Sequence, residues 1–509
     1  MPVIFLLLPA LLLGGFSGQP LWAATGTLSH RDPPECLILR FSPETRSAGP
    51  VALAGAQNEH LFIRLELEGA SSPLKVRLEG APQLPALPWR VFRLAAAPPS
   101  SPPDALLPLE EAGGDEGPGP RDLWLALKIP ADFPRGVHAL LLKISDGRGL
   151  LEVPVQLRVY GFRLPEDLPL AVCGGLWHQG APGPLREVRV IKAYYRSLRE
   201  YKINVLGGAY PVPLDRVGEG LPPEDLGPFQ ELAAYALNDL KFRAIQLPGP
   251  KEWRRGAGAE TPWGREARRW YPRIAAYLER QGWGGRALAY VADEPRPEDH
   301  GAVYQAYALV KSLAPGVRTL SAGWRPAREF SRVIDIWAFQ AGHYREEEVS
   351  AARQAGQEVW LYANRFHTHG RPLAHPRFIG WLLYRYGFAG YLLWGVNYWP
   401  RDPWTTPPGP HDFFRRGTFY YPHPRTGLPV PTTRLEALRR GFQDYQYLKM
   451  LEQAVQQGRV PEARYAAIRE RVARLTDNLP GTPGPPDMQE MEALRLEIGT
   501  LLDETTRHR

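Results

Sequence analysis

Eight short apolar segments, most of them separated by stretches of helical periodicity, fill the region from Ala171 to Gly395, and nothing else in the chain restricts its fold as tightly. They are Ala171 to Leu176, Ile203 to Gly207, Phe242 to Leu247, Ala287 to Ala292, Val317 to Ala322, Ile336 to Gln340, Val359 to Ala363 and Gly390 to Gly395. Amphipathic stretches such as Arg186 to Tyr201, Phe229 to Leu240, Arg265 to Gln281, Ala302 to Leu313 and Pro376 to Tyr386 lie between most of them. Alternating strands and helices argue for βα units and a parallel sheet. Eight units over about 250 residues is the size of a closed (β/α)8 TIM barrel.

At 509 residues the chain has room for more than a barrel,. From about Cys36 to Tyr160 the period is two: Ile63, Leu65 and Leu67 alternate with Arg64, Glu66 and Glu68, and Val153, Val155, Leu157 and Val159 alternate with polar or proline positions. Several such strands with Gly/Pro turns between them predict an all-β sandwich. The stretch from Ala95 to Arg121 is rich in Pro, Gly and Ser and reads as a surface insertion,. From Arg434 onward Leu435, Leu438, Phe442, Tyr445, Leu448 and Leu451 fall on one helical face, and a Pro/Gly run from Pro480 to Pro486 precedes a last helix,. The expected fold class is therefore multidomain: a signal peptide over 1–24, an N-terminal β-sandwich over 25–162, a (β/α)8 barrel over 163–433, and a C-terminal helical extension over 434–509.

The first residues, Val3 to Phe16, are apolar and close to signal-peptide length, and small residues follow at Ala23 and Ala24,. Secretion or export to a periplasm is expected, with a retained membrane anchor as the alternative; no later segment is long and apolar enough to span a bilayer. The net charge of +7 is carried by scattered arginines with no basic run, which argues against a nucleic-acid partner,. Cys36 and Cys173 fall in different predicted domains and read as structural.

Barrel enzymes place their reacting groups at the C-terminal ends of the strands. Only the fourth strand ends in carboxylates, Asp293-Glu294. The Pro295-Arg296-Pro297 spacer separates the pair from the next helix, so Glu298 or Asp299 is better placed to cap it,. Glycosidases need a proton donor and a group that attacks or stabilises the oxocarbenium carbon. The seventh strand, where a second carboxylate often stands, ends in Tyr362-Ala363-Asn364-Arg365. An adjacent pair suits the substrate-assisted route instead, in which a 2-acetamido oxygen attacks the anomeric carbon. Glu294 would be the acid and then the base, with Asp293 orienting the acetamide and stabilising its positive charge.

Aromatic and amide residues at the other strand ends are candidates for sugar binding: Trp177, His178, Tyr210, Trp324, Gln340, Tyr362, Asn364, Arg365, Trp394, Asn397, Tyr398 and Trp399,. Trp337 and Trp360 lie within strands and read as structural. His367-Thr368-His369 lacks a grouped third ligand, so no metal is expected, and no cofactor motif is present,.

Tyr290-Val291-Ala292-Asp293-Glu294-Pro295 resembles the strand-four motif of glycoside hydrolase family 123 and the related DUF4091 proteins. Leu393-Trp394-Gly395-Val396-Asn397-Tyr398-Trp399 with Asp402-Pro403-Trp404 is similar to that family's last strand, and Phe419-Tyr420-Tyr421-Pro422 with the segment from Arg434 to Leu448 is similar to its closing signature. The resemblance covers nearly the whole mature chain. It implies an exo-acting β-N-acetylgalactosaminidase acting on glycans with a terminal 2-acetamido sugar, with Asp293 as stabiliser and Glu294 as acid/base. The sequence departs from the pattern at Arg440, where an acid is usual, and at Gln443 and Gln446, where Glu is typical. A non-catalytic glycan-binding or cell-surface protein on the same fold, and a glycosidase of different specificity, are the competing readings.

Overall fold

The computed structural model describes residues 36–40, 50–68, 74–97, 101–109, 121–146, 149–177, 187–206, 227–247, 249, 257–323, 328–399, 401–406, 418–477 and 486–506. The expected export segment 1–24, the side chain of Cys36, the candidates His178, Tyr210 and Trp324, and residues 480–485 of the Pro/Gly run lie outside these residues.

Two sheets precede the barrel. One has the order β1 (Cys36–Arg40), β3 (His60–Glu68), β7 (Arg121–Lys128), β5 (Trp89–Ala95), β6 (Ala105–Pro108). The other runs β2 (Val51–Gln57), β9 (Leu150–Arg163), β8 (Gly136–Ser145), β4 (Lys75–Gly80). The alternation does what its period dictates: Ile63, Leu65 and Leu67 of β3 meet Val153, Val155, Leu157 and Val159 of β9 in one buried core,. The other face of the first sheet is covered too. Phe62 and Trp124 stack there at 4.4 Å and pack with Leu94, Leu106 and Leu373 of the barrel.

The supposed insertion is corrected in part. Within it, β6 pairs antiparallel with β5, from Phe92 opposite Pro108 to Ala95 opposite Ala105, and Ala105 and Leu106 are fully buried. A four-residue apolar core inside a Pro-rich window is too short for a composition argument to register, and pairing rather than propensity makes it a strand.

All eight barrel strands form, parallel throughout: β10 (Ala171–Gly175), β11 (Asn204–Leu206), β12 (Ile245–Gln246), β13 (Ala287–Asp293), β14 (Arg318–Gly323), β15 (Ile336–Gln340), β16 (Glu358–Tyr362) and β17 (Gly390–Leu393). Their order, β11-β10-β17-β16-β15-β14-β13-β12, makes a nearly closed barrel with β11 and β12 flanking the last gap. Helices α1 (Val188–Glu200), α2 (Pro228–Ala234), α3 (Pro262–Arg280), α4 (His300–Leu313), α5 (Glu346–Gln354) and α6 (Ala374–Arg385) lie between the strands. Large and small residues alternate inside the barrel: Trp360 fills the space over Gly390, where a Cβ would come within 2.5 Å of the indole,. Cys173 is a buried free thiol in the same interior, its pKa pushed up by burial. Among the described residues no helix is long and apolar enough to cross a membrane.

Helices α7 (Thr433–Gln456), α8 (Glu462–Thr476) and α9 (Met488–Thr505) follow a small hairpin, β18 (Tyr420–Pro422) and β19 (Pro429–Pro431). The Thr432 hydroxyl caps α7 by accepting the Leu435 N–H at 3.2 Å, worth about 1 kcal/mol. The expected single apolar face is corrected: every residue from Thr433 to Leu448 is buried, polar ones included. Helix α7 lies between α6, α9 and the sandwich, and charges meet charges there. Arg377 of α6 binds Asp444 (2.7 Å) and Glu492 of α9 (2.7 Å), while Arg440 bridges Glu492 (2.9 Å) and Glu59 of the sandwich (3.1 Å). Arg495 pairs with both Glu59 and Asp444. Arg440, Gln443 and Gln446, which depart from the family signature, all serve this joint; Gln443 donates to the His60 carbonyl and Gln446 to that of Pro165. Helices α6 and α7 touch backbone to backbone at Gly380 and Gly441, where a Cβ on either would overlap the other helix.

Candidate active site

In a regular strand residues three apart face opposite ways. Strand β13 breaks that rule where it matters. Its register against β14 shifts between Tyr290, opposite Leu320, and Asp293, opposite Ala322, so that three steps on one strand answer two on the other,. The bulge brings Tyr290 and Asp293 to the same side, and the Tyr290 hydroxyl donates to Asp293 Oδ1 at 2.6 Å.

A bulge frees backbone groups that need partners. Here the buried Tyr307 hydroxyl of α4 accepts the N–H groups of Val291 (3.2 Å) and Ala292 (3.0 Å) and donates to the Leu320 carbonyl (2.6 Å). Ser321 donates to the Ala292 carbonyl at 2.8 Å. Glu294 then turns into the left-handed region, φ 43°, with its N–H held by the Ala322 carbonyl at 3.0 Å. A non-glycine residue in that region is strained, and such strain clusters at functional sites.

Strand β16 contributes Tyr362, whose hydroxyl bonds both Glu294 and Asn364. Burial raises the pKa of Glu294, the negative charge of Asp293 raises it further, and the hydrogen bond from Tyr362 acts the other way,. Burial, followed by the charges of Asp293 and Glu294, likewise holds the Tyr362 phenol protonated. Asn364 Oδ1 is buried and lacks a partner among the described residues, leaving an acceptor at the edge of the cluster. Two adjacent carboxylates thus sit in unlike surroundings, one exposed and hydrogen-bonded, the other half-buried and inclined to keep its proton,.

The wall formed by the ends of β10 and β17 is aromatic. Trp177 lies 6.2 Å from Trp394 and 5.6 Å from Tyr398, and Trp394 lies 5.3 Å from Tyr398. Trp394 packs against the same barrel-interior cluster as Tyr290, and Tyr362 belongs to that cluster. The Trp177 indole N–H donates to the Trp394 carbonyl at 2.8 Å, and Gly175 leaves room for that carbonyl.

Two candidates are placed differently from expectation. Asn397 is fully buried, accepting the Trp177 N–H and donating to the Trp177 carbonyl, both at 2.8 Å, so its amide orients the tryptophan and burial closes it off from a sugar. Trp399 donates to the Tyr420 carbonyl and packs on Tyr421 in a satellite cluster with β6, away from the carboxylates. Gln340 ends β15 level with Tyr362, and Arg365 is exposed just beyond β16. Among the described residues no group of three or more metal-binding side chains occurs. His367 is buried against Tyr391 and Phe419, a packing role.

Sequence reasoning missed Tyr290, Tyr307 and Ser321. Tyr290 is visible three residues before the acid, but only the bulge reveals that its hydroxyl reaches Asp293.

Residues 256–451 match the family model of the glycoside hydrolase 123 catalytic domain. The fold is similar to a family 123 glycoside hydrolase from Clostridium perfringens, whose structural analysis concerns glycolipid glycan hydrolysis, with TM-score 0.65 and 12% identity over 90% of this chain and 94% of that one. An endo-β-1,4-mannanase from Thermotoga petrophila, at TM-score 0.36 and 13% identity over 55% and 77% of the two chains, is too distant to add to this. No curated protein matches in sequence.

Proposed function

We propose that this chain, whose residues 256–451 match the family 123 glycoside hydrolase catalytic domain, is an exported, exo-acting, retaining β-N-acetylgalactosaminidase that uses the substrate's own acetamido group. The observation that carries the reading is the adjacent pair itself: among the described strand ends no other carboxylate stands opposite Asp293 and Glu294 to act as a nucleophile,.

With the sugar against Trp177, Trp394 and Tyr398, the protonated Glu294 donates to the glycosidic oxygen as the C1–O bond breaks. The acetamido oxygen attacks C1 from the other face and closes an oxazolinium ring. Asp293, held by Tyr290 at one oxygen, offers the other to the acetamide N–H, where positive charge develops,. Glu294, now ionised, takes a proton from water as that water opens the ring at C1, and two inversions return the original configuration. The upward shift of the Glu294 pKa, from burial and then the Asp293 charge, favours the protonated form that the first step needs,.

The test is turnover of an aryl 2-acetamido-2-deoxy-β-galactoside beside the plain β-galactoside. Cleavage of the acetamido sugar alone, inhibition by a thiazoline mimic, and a β-anomer as first product are expected. Equal rates on both sugars, or a Glu294→Gln enzyme as active as wild type, would overturn the reading.

A further inference from the structure

A cleft of about 550 Å³ opens where the sandwich meets the barrel, within the usual range for small-ligand sites. Its barrel wall is the segment His369 to Leu373, its sandwich wall includes Arg64, Leu94 and Trp124, and the first turn of α7 closes the end. The barrel wall belongs to the loop that leaves β16 at Tyr362 and passes Asn364, and the five residues of chain from Asn364 to His369 span at most about 18 Å,. This loop is pinned rather than loose: Arg434 donates to the His367 carbonyl at 2.7 Å, and prolines 102, 103, 372 and 486 stiffen the surround,.

The polar groups of the lining divide sharply. Among the described lining residues Asp104 is the one acid, and it is spent, receiving Arg434 through Nε (3.0 Å) and Nη2 (2.7 Å) and the Thr433 hydroxyl (2.8 Å). Arg64 is engaged with Glu66 (3.0 Å) and Asp122 (2.9 Å). What remains is donor capacity. Among the described residues the half-buried Arg371 guanidinium has no acid partner and the indole N–H of the buried Trp124 has no acceptor. A buried donor left unmet is costly, and an oxyanion is the group that answers guanidinium and N–H donors together.

We propose that this cleft is a second sugar site that takes an oxyanion-bearing saccharide, carboxylated or sulfated, as a neighbouring unit of the glycan whose end is cleaved at Asp293 and Glu294. The cleft as a binding site stands on its own lining; only its coupling to cleavage rests on the hydrolase reading above.

Binding is measured by calorimetry or NMR on the full chain with methyl β-glucuronide, galactose 6-sulfate and neutral methyl β-galactoside. Acidic probes should bind the wild type and Glu294→Gln alike, and whichever acid binds more tightly identifies the carboxylate or the sulfate as the natural group. Arg371→Ala should weaken that binding about tenfold, and Trp124→Phe, which keeps a ring to stack on Phe62 but loses the indole N–H together with part of the ring, should weaken it less. On a hexosaminide extended by an acidic sugar, Arg371→Ala should raise KM and keep kcat. The proposal is overturned if the neutral sugar binds as well as the acids, if no acidic probe binds, or if Arg371→Ala binds unchanged. An enzyme inert toward every hexosaminide would sink the hydrolase reading and leave the binding result intact.

Discussion

Replacing Glu59 by alanine should loosen the joint between sandwich and barrel more than any single loss of apolar packing there. Glu59 is fully buried and receives Arg440 at 3.1 Å, Arg495, the Tyr447 hydroxyl at 2.6 Å and the Ala56 N–H at 2.7 Å. The cluster balances three acids, Glu59, Asp444 and Glu492, against three arginines, Arg377, Arg440 and Arg495. Removing one acid leaves a net positive charge where side chains are 0–6% exposed. Breaking a buried pair by deleting one partner costs about 3–5 kcal/mol. The orphaned Ala56 N–H and Tyr447 hydroxyl add to this, though less than additively, since all belong to one network. A total of about 4–6 kcal/mol is expected. Urea titration followed by tryptophan fluorescence reads it as an early first transition, which for a chain of this size is the safer quantity than a global midpoint. A loss below about 1 kcal/mol would mean that water reaches the cluster, and the argument from burial would fail.

Other consequences are as specific. Burial followed by the Asp293 charge keeps Glu294 protonated above the ordinary glutamate range, so the basic limb of the pH–rate profile should lie high; Asp293→Asn should move it to lower pH, and Tyr362→Phe to higher. Tyr290→Phe removes the donor that holds Asp293 and should lower kcat about 10- to 100-fold with KM little changed; an unchanged kcat would make the hydrogen bond ornamental. Gly441→Ala drives a methyl into the Arg377 carbonyl and should cost about 3 kcal/mol by thermal unfolding,. Glu492 is opposed by burial but held below its usual pKa by Arg440, Arg377 and Arg495, so its stabilisation is whole above the ordinary glutamate value and should be lost as pH falls beneath it,.

The barrel was legible because its signal is repetitive: each strand core, from Val172 to Leu392, is an apolar run bounded by helical periodicity, and each is found where the pattern puts it. The sandwich was legible at Ile63, Leu65 and Leu67 for the same reason, and illegible at Ala105 to Pro108, where four residues carry too short a pattern. Helix α7 misled differently. Hydrophobicity marks only the apolar side of a helix, and the side occupied by Arg434, Arg440 and Asp444 looks solvated until its partners, 51 to 381 positions away, are in place. At the site, position along the strand located Asp293 and Glu294, whereas the bulge, the Tyr307 support and the diversion of Asn397 to Trp177 are matters of register and pairing that no single segment encodes.

The left-handed backbone of Glu294 sets stability and chemistry against each other at one position. A residue with a Cβ costs roughly 1–2 kcal/mol there, and glycine or asparagine would relieve much of it. Neither can deliver a proton to a glycosidic oxygen. On the proposed mechanism, drift toward Gly or Asn at this position would yield a protein that melts later and has lost its acid, so stability alone gives no reason to keep glutamate at φ 43°,.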